Sequence, residues 1–160
     1  MDAGTVLRVL DAVRPAQVWL AGGWGIDALL GRQTRDHRDL DLLHRLEEEP
    51  AVLAALSRLG YRETLDLRPV RFVLSDGAGE LDLHPLVFAG DGSATQQADD
   101  EGATFPYPAS CFVTGRVDGV EVPCVSVAQQ VFFHQGYAPA DHDLADMRAL
   151  REAFGVRTHF

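Results

Sequence analysis

Two acidic runs with a period of two define the chemistry open to this chain. As a strand, Asp39-Leu-Asp-Leu-Leu-His44 projects Asp39 and Asp41 from one face and sends Leu40 and Leu42 to the other. Glu80-Leu-Asp-Leu-His-Pro-Leu86 repeats the pattern and puts Glu80, Asp82 and His84 on one face, so a neighbouring strand supplies a third carboxylate. Clustered carboxylates raise one another's proton affinity unless a cation neutralises them. Oxygen donors favour Mg²⁺ over zinc, and Mg²⁺ usually completes its shell with water and substrate phosphate, which points to a nucleoside triphosphate as co-ligand. The plainer reading is that these acids are solvated strand residues.

Upstream, Gln17-Val-Trp-Leu-Ala21 reads as a buried strand, and residues 24–30 as a helix ended by Gly31. Gly22 and Gly23 stand at the junction. Lacking a Cβ, they let backbone N–H groups approach phosphate, and the helix start adds its positive dipole end. Gly23-x-Gly25-x-x-Ala28 also fits the dinucleotide fingerprint, which keeps a nicotinamide- or flavin-dependent oxidoreductase as an alternative. Arg35, His37 and Arg38 precede the acid pair. Arg35 has a planar fork suited to a triphosphate tail, and His37 either joins it there or braces the acid strand.

The run Leu20-Ala-Gly-Gly-Trp-Gly-Ile-Asp-Ala-Leu-Leu-Gly31, followed by Thr34-Arg-Asp-His-Arg-Asp-Leu-Asp-Leu42, resembles the antibiotic nucleotidyltransferases of the aminoglycoside and lincosamide type, in the polymerase-β-like superfamily. Leu81-Asp-Leu83, His134-Gln-Gly-Tyr137 and Asp141-His-Asp-Leu-Ala-Asp146 extend the resemblance over nearly the whole chain, with His142 standing where Lys or Arg is expected. The resemblance implies that Asp39 and Asp41 bind metal, two Mg²⁺ ions being expected. It also implies that Asp82 completes the site and acts as general base, and that Gly22-Gly23 holds the triphosphate, most simply ATP. The implied reaction is attack of an acceptor hydroxyl on the α-phosphorus with departure of pyrophosphate. His84 is the second choice of base. His134, Tyr137 and Asp141 become candidate substrate or nucleotide contacts, Tyr137 as a stacking surface for a nucleobase. The expected acceptor is a small polar antibiotic, aminoglycoside first and lincosamide second. A protein acceptor, as for antitoxin-type nucleotidyltransferases, is the alternative within the same chemistry.

Composition narrows the partners. With 24 acidic residues against 14 Lys plus Arg, the formal charge is −10. That opposes a nucleic-acid substrate surface and suits a cationic small molecule. Asp99-Asp-Glu101 could wall such a pocket, although a charge run is usually a solvated loop. The start Met1-Asp-Ala-Gly is unlike a signal peptide and no apolar run is long enough to span a membrane, so a cytoplasmic enzyme is expected. The two cysteines fit that compartment as buried thiols. A hairpin on Asp118-Gly119 sets Val113 opposite Cys124 and leaves Cys111 diagonal, unsuited to a disulfide.

These residues must be positioned by a single 160-residue domain, 46% hydrophobic and large enough to bury a core. The expected fold is mixed α/β (α+β): a small twisted sheet flanked by helices in a polymerase-β-like arrangement, with the last two helices, within about 126–154, as a C-terminal helical part. Helices are expected over 3–13, 50–59, 126–134 and 141–154, and strands over 61–67 and 70–75. Asp76-Gly77 turns the chain into the third-acid strand, and a polar loop covers 90–104. The short chain leaves little room for a separate acceptor domain, so a homodimer is expected.

Overall fold

The computed structural model describes residues 1–99 and 101–160. In chain order the elements are α1 (Ala3–Ala12), β1 (Val18–Leu20), α2 (Gly22–Leu30), β2 (Asp39–Arg45), α3 (Glu49–Arg58), β3 (Arg62–Leu67) and β4 (Arg71–Ser75). They continue with β5 (Glu80–Phe88), β6 (Ala94–Gln97), β7 (Thr104–Tyr107), β8 (Phe112–Val117), β9 (Val120–Val125), α4 (Val127–Phe133) and α5 (Asp141–Phe154).

The helix ends follow local chemistry. Asp2 caps α1 by accepting from the Thr5 amide, and Pro50 occupies the first turn of α3, where a missing N–H costs nothing. In α5 the Asp143 carboxylate accepts from the Ala140 amide and Gly155 closes the far end in the left-handed region. Asp118 and Gly119 both have positive φ, 48° and 78°, as a two-residue hairpin turn requires, and Val113 lies opposite Cys124. Cys111 and Cys124 are free and buried. Among the described residues no helix is long and apolar enough to cross a membrane.

The strands form one open mixed sheet in the order β3-β4-β5-β2-β1-β9-β8, extended from β5 by the β6–β7 hairpin. The pairs β2–β5 and β1–β9 are parallel; the other pairings are antiparallel. Leu40, Leu42, Leu81 and Leu83 are fully buried in the main core with Val6 and Val9 of α1 and Val52 and Leu56 of α3. Strand alternation therefore turns the acids to the opposite face. A second cluster on that face gathers Leu43, Leu86, Tyr107 and Val125 around Trp19 and Phe112, while Ile26, Met147 and Leu150 join α2 to α5.

Two expectations are corrected. Residues 90–104 are not simply a loop, because β6 and the start of β7 lie within or at the end of them. Their Thr, Gln and Gly content carries little strand signal. The dinucleotide reading fails on topology: β1 and β2, joined through α2, are antiparallel, whereas that fingerprint serves a parallel β-α-β crossover. Gly25 has a packing reason instead, since a Cβ there would lie 2.4 Å from Gln130 Nε2 and 2.9 Å from the Leu20 carbonyl.

Candidate active site

The register of β2 against β5 builds the site. Asp39 stands beside Glu80, Asp41 beside Asp82 and Leu43 beside His84, on strands running in the same direction. Asp41, Asp82 and His84 each place one ligand-capable atom within 4.8 Å of the others. Asp39 shares their face but lies outside that cluster, in a groove of about 570 Å³ with Arg38, Thr64, Arg71, Glu80 and Asp82. On the other side of Asp41, a cavity of about 310 Å³ includes Gly22, His84, Gln96, Phe105, Tyr107 and His134 in its lining.

Asp82 is held unevenly. Arg71 donates to its Oδ2 at 2.6 Å, whereas its buried Oδ1 has no hydrogen-bond partner among the described residues. Burial pushes its carboxyl above the ordinary value and Asp41 adds to the rise, with His84 and Arg71 opposing. A buried acceptor without a donor, next to a second carboxylate, suits a divalent cation. Arg71 escaped the sequence reading. Its alternation with Val73 and Ser75 was the available signal, but a strand arginine ordinarily reads as solvated.

Each glycine of the pair meets a different neighbour. Gly22 has φ +53°, and a Cβ there would fall 2.0 Å from Asp41 Oδ2. Gly23 faces inward instead: its Cβ would fall 2.4 Å from His37 Nδ1 and 2.7 Å from Arg35 Nη2. The backbone of Gly22 therefore borders the acids, while Gly23 makes room for two side chains of the following loop.

Those two side chains are not free for phosphate. His37 is 3% exposed, its Nε2 bonds to Asp27 Oδ2, and its ring lies 4.9 Å from that of Trp24. His37 is thus tied to α2 through Asp27, and not to the acid strand by a ring hydrogen bond. The Arg35 fork is occupied by Asp146, with Nε 3.0 Å from Oδ1 and Nη2 2.8 Å from Oδ2, so it ties the loop to α5. Its partner lies 111 residues away in sequence.

The three C-terminal candidates separate. His134 lines the aromatic cavity, with Nδ1 2.7 Å from the Gln130 carbonyl. Tyr137 is outside that lining and packs edge-on to Phe160 at 5.5 Å. Asp141 is an exposed first-turn residue of α5, also outside the lining. Of the acidic run, Asp100 lies outside the described residues, and Asp99 accepts from the Glu101 and Ala103 amides to shape the turn.

A mixed sheet with an acid pair on one strand, a third acid on its parallel neighbour and a glycine turn against the pair defines a nucleotidyltransferase framework. Comparison with known proteins gives the same class. The chain belongs to the aminoglycoside-2''-adenylyltransferase family, whose model matches residues 5–150. It is 35% identical over 146 residues to a lincosamide resistance protein of Staphylococcus haemolyticus, covering 89% of this chain and 90% of that one. It is 35% identical over 103 residues to a 2''-aminoglycoside nucleotidyltransferase of Klebsiella pneumoniae, covering 64% of this chain and 56% of that protein. The lincomycin-bound crystal structure of the lincosamide antibiotic adenylyltransferase LnuA superposes with a TM-score of 0.80 at 32% identity, covering 92% and 93% of the two chains.

Proposed function

We propose that this chain transfers a nucleoside monophosphate from a nucleoside triphosphate to a hydroxyl of a small antibiotic, in a metal-dependent reaction with ATP as donor. The observation that carries the reading is the pairing of Asp41 with Asp82 on adjacent parallel strands, one oxygen of Asp82 being buried and unpartnered. Asp39, Asp41 and Asp82 would hold divalent metal, Mg²⁺ being the natural ion for carboxylate oxygens. When bound, it would neutralise phosphate charge and favour departure of pyrophosphate.

The chain's own groups divide the remaining work. Gly22 lets the Asp41 carboxylate pack against the start of α2, where a phosphate tail would meet both, and the rings of Phe105, Tyr107 and Phe133 suit a nucleoside. The groove on the Asp82 side, with Thr64, Arg38 and Glu80, suits a hydroxyl- and amine-bearing acceptor. Asp82 takes the proton of the acceptor hydroxyl as its oxygen bonds to the α-phosphorus and the bond to the pyrophosphate oxygen breaks. The similarity to a lincosamide resistance protein over 146 residues supports placing a lincosamide first as acceptor, ahead of the aminoglycoside expected from sequence. An aminoglycoside comes second.

The test is incubation with Mg²⁺, each triphosphate labelled at the α-phosphate, and either lincomycin or tobramycin. Label from ATP on lincomycin is the expected result. Absence of label from both antibiotics with every triphosphate would overturn the antibiotic reading.

A further inference from the structure

His84 sits between the acids and a buried polar chain contributed by the β6–β7 hairpin. Its Nε2 is 3.4 Å from Asp41 Oδ1 and 3.7 Å from Asp82 Oδ1. Its Nδ1 is 3.1 Å from Gln96 Nε2. Gln96 is 6% exposed, and its Nε2 also lies 3.2 Å from the Val70 carbonyl, while Tyr107 donates to its Oε1 at 2.7 Å.

The proton positions follow from what each group can do. A backbone carbonyl only accepts, so the Gln96 amide must turn its NH₂ toward Val70. That same NH₂ faces His84 Nδ1 and has only protons to offer. Nδ1 must therefore present its lone pair, which leaves the ring proton of neutral histidine on Nε2. The reversed amide would set two acceptors 3.2 Å apart at Val70, a repulsion that the assigned orientation avoids. Tyr107, 2% exposed, keeps its hydroxyl proton because burial pushes its phenol far up, and it donates from the other end.

We propose that Gln96 and Tyr107 fix the orientation and tautomer of His84, with Nδ1 accepting from the Gln96 amide and Nε2–H turned to Asp41 Oδ1. His84 is then a positioning residue that restrains Asp41. Acceptance of the substrate proton falls to Asp82. The catalytic consequence rests on the proposed nucleotidyl transfer, but the tautomer does not.

Nitrogen-15 NMR of protein labelled on its histidine rings tests the lock directly. The His84 resonances are assigned by their loss in His84→Gln. The expected spectrum has an imine-type Nδ1 and a pyrrole-type Nε2 with its proton. A proton on Nδ1 in the wild-type ring would overturn the proposal, whether or not the protein turns over any antibiotic. Gln96→Glu presents a carboxylate to Nδ1 and should invert the pattern, with turnover falling at least tenfold. A folded Gln96→Glu variant with an unchanged His84 tautomer would also overturn it. Tyr107→Phe removes the far donor but leaves the Val70 contact, so the Nε2–H form should persist; its loss would mean that Val70 does not set the amide.

Discussion

Arg71 and Asp82 meet across the β4–β5 pairing, with Nη1 2.6 Å from Oδ2. Arg71 borders both the aromatic cavity and the polar groove, so this ion pair marks the line where the proposed donor and acceptor sites join. It also opposes the burial that raises the Asp82 carboxyl. Arg71→Met removes that opposition, so Asp82 should ionise at higher pH. The acid limb of kcat/KM should move up by about one pH unit, because loss of a nearby positive charge favours the protonated acid. On the acid side of the profile turnover at a given pH should fall roughly tenfold, about 1.4 kcal/mol in barrier. A pH–rate profile checks this, and an unmoved acid limb would remove Asp82 as the base.

The glycine pair gives two outcomes at adjacent positions. In Gly22→Ala the new methyl collides with the Asp41 carboxylate and the backbone is strained at φ +53°. Turnover should fall more than a hundredfold in protein that still folds, since Asp41 must move. Gly23→Ala instead pushes on His37 and Arg35 and disturbs the Asp27–His37 and Arg35–Asp146 contacts. Its main effect should be a loss of stability on the order of 2 kcal/mol. Denaturation curves and turnover measured on both variants separate the two. Equal stability losses with equal activity would contradict the distinction.

The acid face was legible because a period of two cannot be mistaken once leucines and carboxylates alternate: the Asp41–Asp82 pairing needed only the two runs to be neighbours. The bounds of α5 were equally plain, from its acidic first turn and Gly155. Legibility failed where the determining contact is remote or the pattern is weak. Nothing around Arg35 announces Asp146, and a polar segment such as Ala94–Gln97 has no apolar alternation to reveal a strand. Gln96 was missed for that reason, though it is the residue that orients His84. The glycine pair opens α2, two residues before the helix start expected at residue 24, and a sequence cannot tell whether space beside a glycine is reserved for a ligand or for His37.

His44 supplies a pH-dependent contribution to stability away from the reacting groups. Its side chain is fully buried at the end of the acid strand, and burial lowers its pKa from the ordinary 6.5. The unfolded chain therefore takes up a proton at a pH where the folded protein resists it. The contribution is full above about pH 6.5 and is lost as pH falls from there toward the folded value. His44→Gln should flatten the decline in stability between about pH 7 and pH 5, over which an unperturbed histidine would titrate. Urea denaturation at a series of pH values measures it. Parallel wild-type and variant curves would show that His44 takes no part.

The last prediction separates the two acids of β2. Asp41 lies within the cluster formed with Asp82 and His84, whereas Asp39 lies two residue pairs away beside Glu80. If metal is held as proposed, Asp41→Asn removes a charged oxygen from the centre of the site and leaves Asp82 with a weaker, neutral neighbour. Mn²⁺ affinity, read by calorimetry with a non-hydrolysable triphosphate present, should fall at least a hundredfold, or about 2.7 kcal/mol. Asp39→Asn should weaken it less, by roughly tenfold, about 1.4 kcal/mol, because Asp39 contributes from the groove side. Turnover should follow the same order. Both variants should retain wild-type stability or gain slightly without metal, since each relieves repulsion among Asp39, Asp41, Glu80 and Asp82. A larger loss of Mn²⁺ affinity in Asp39→Asn than in Asp41→Asn would place the metal in the groove beside Glu80 and overturn the arrangement centred on Asp41 and Asp82.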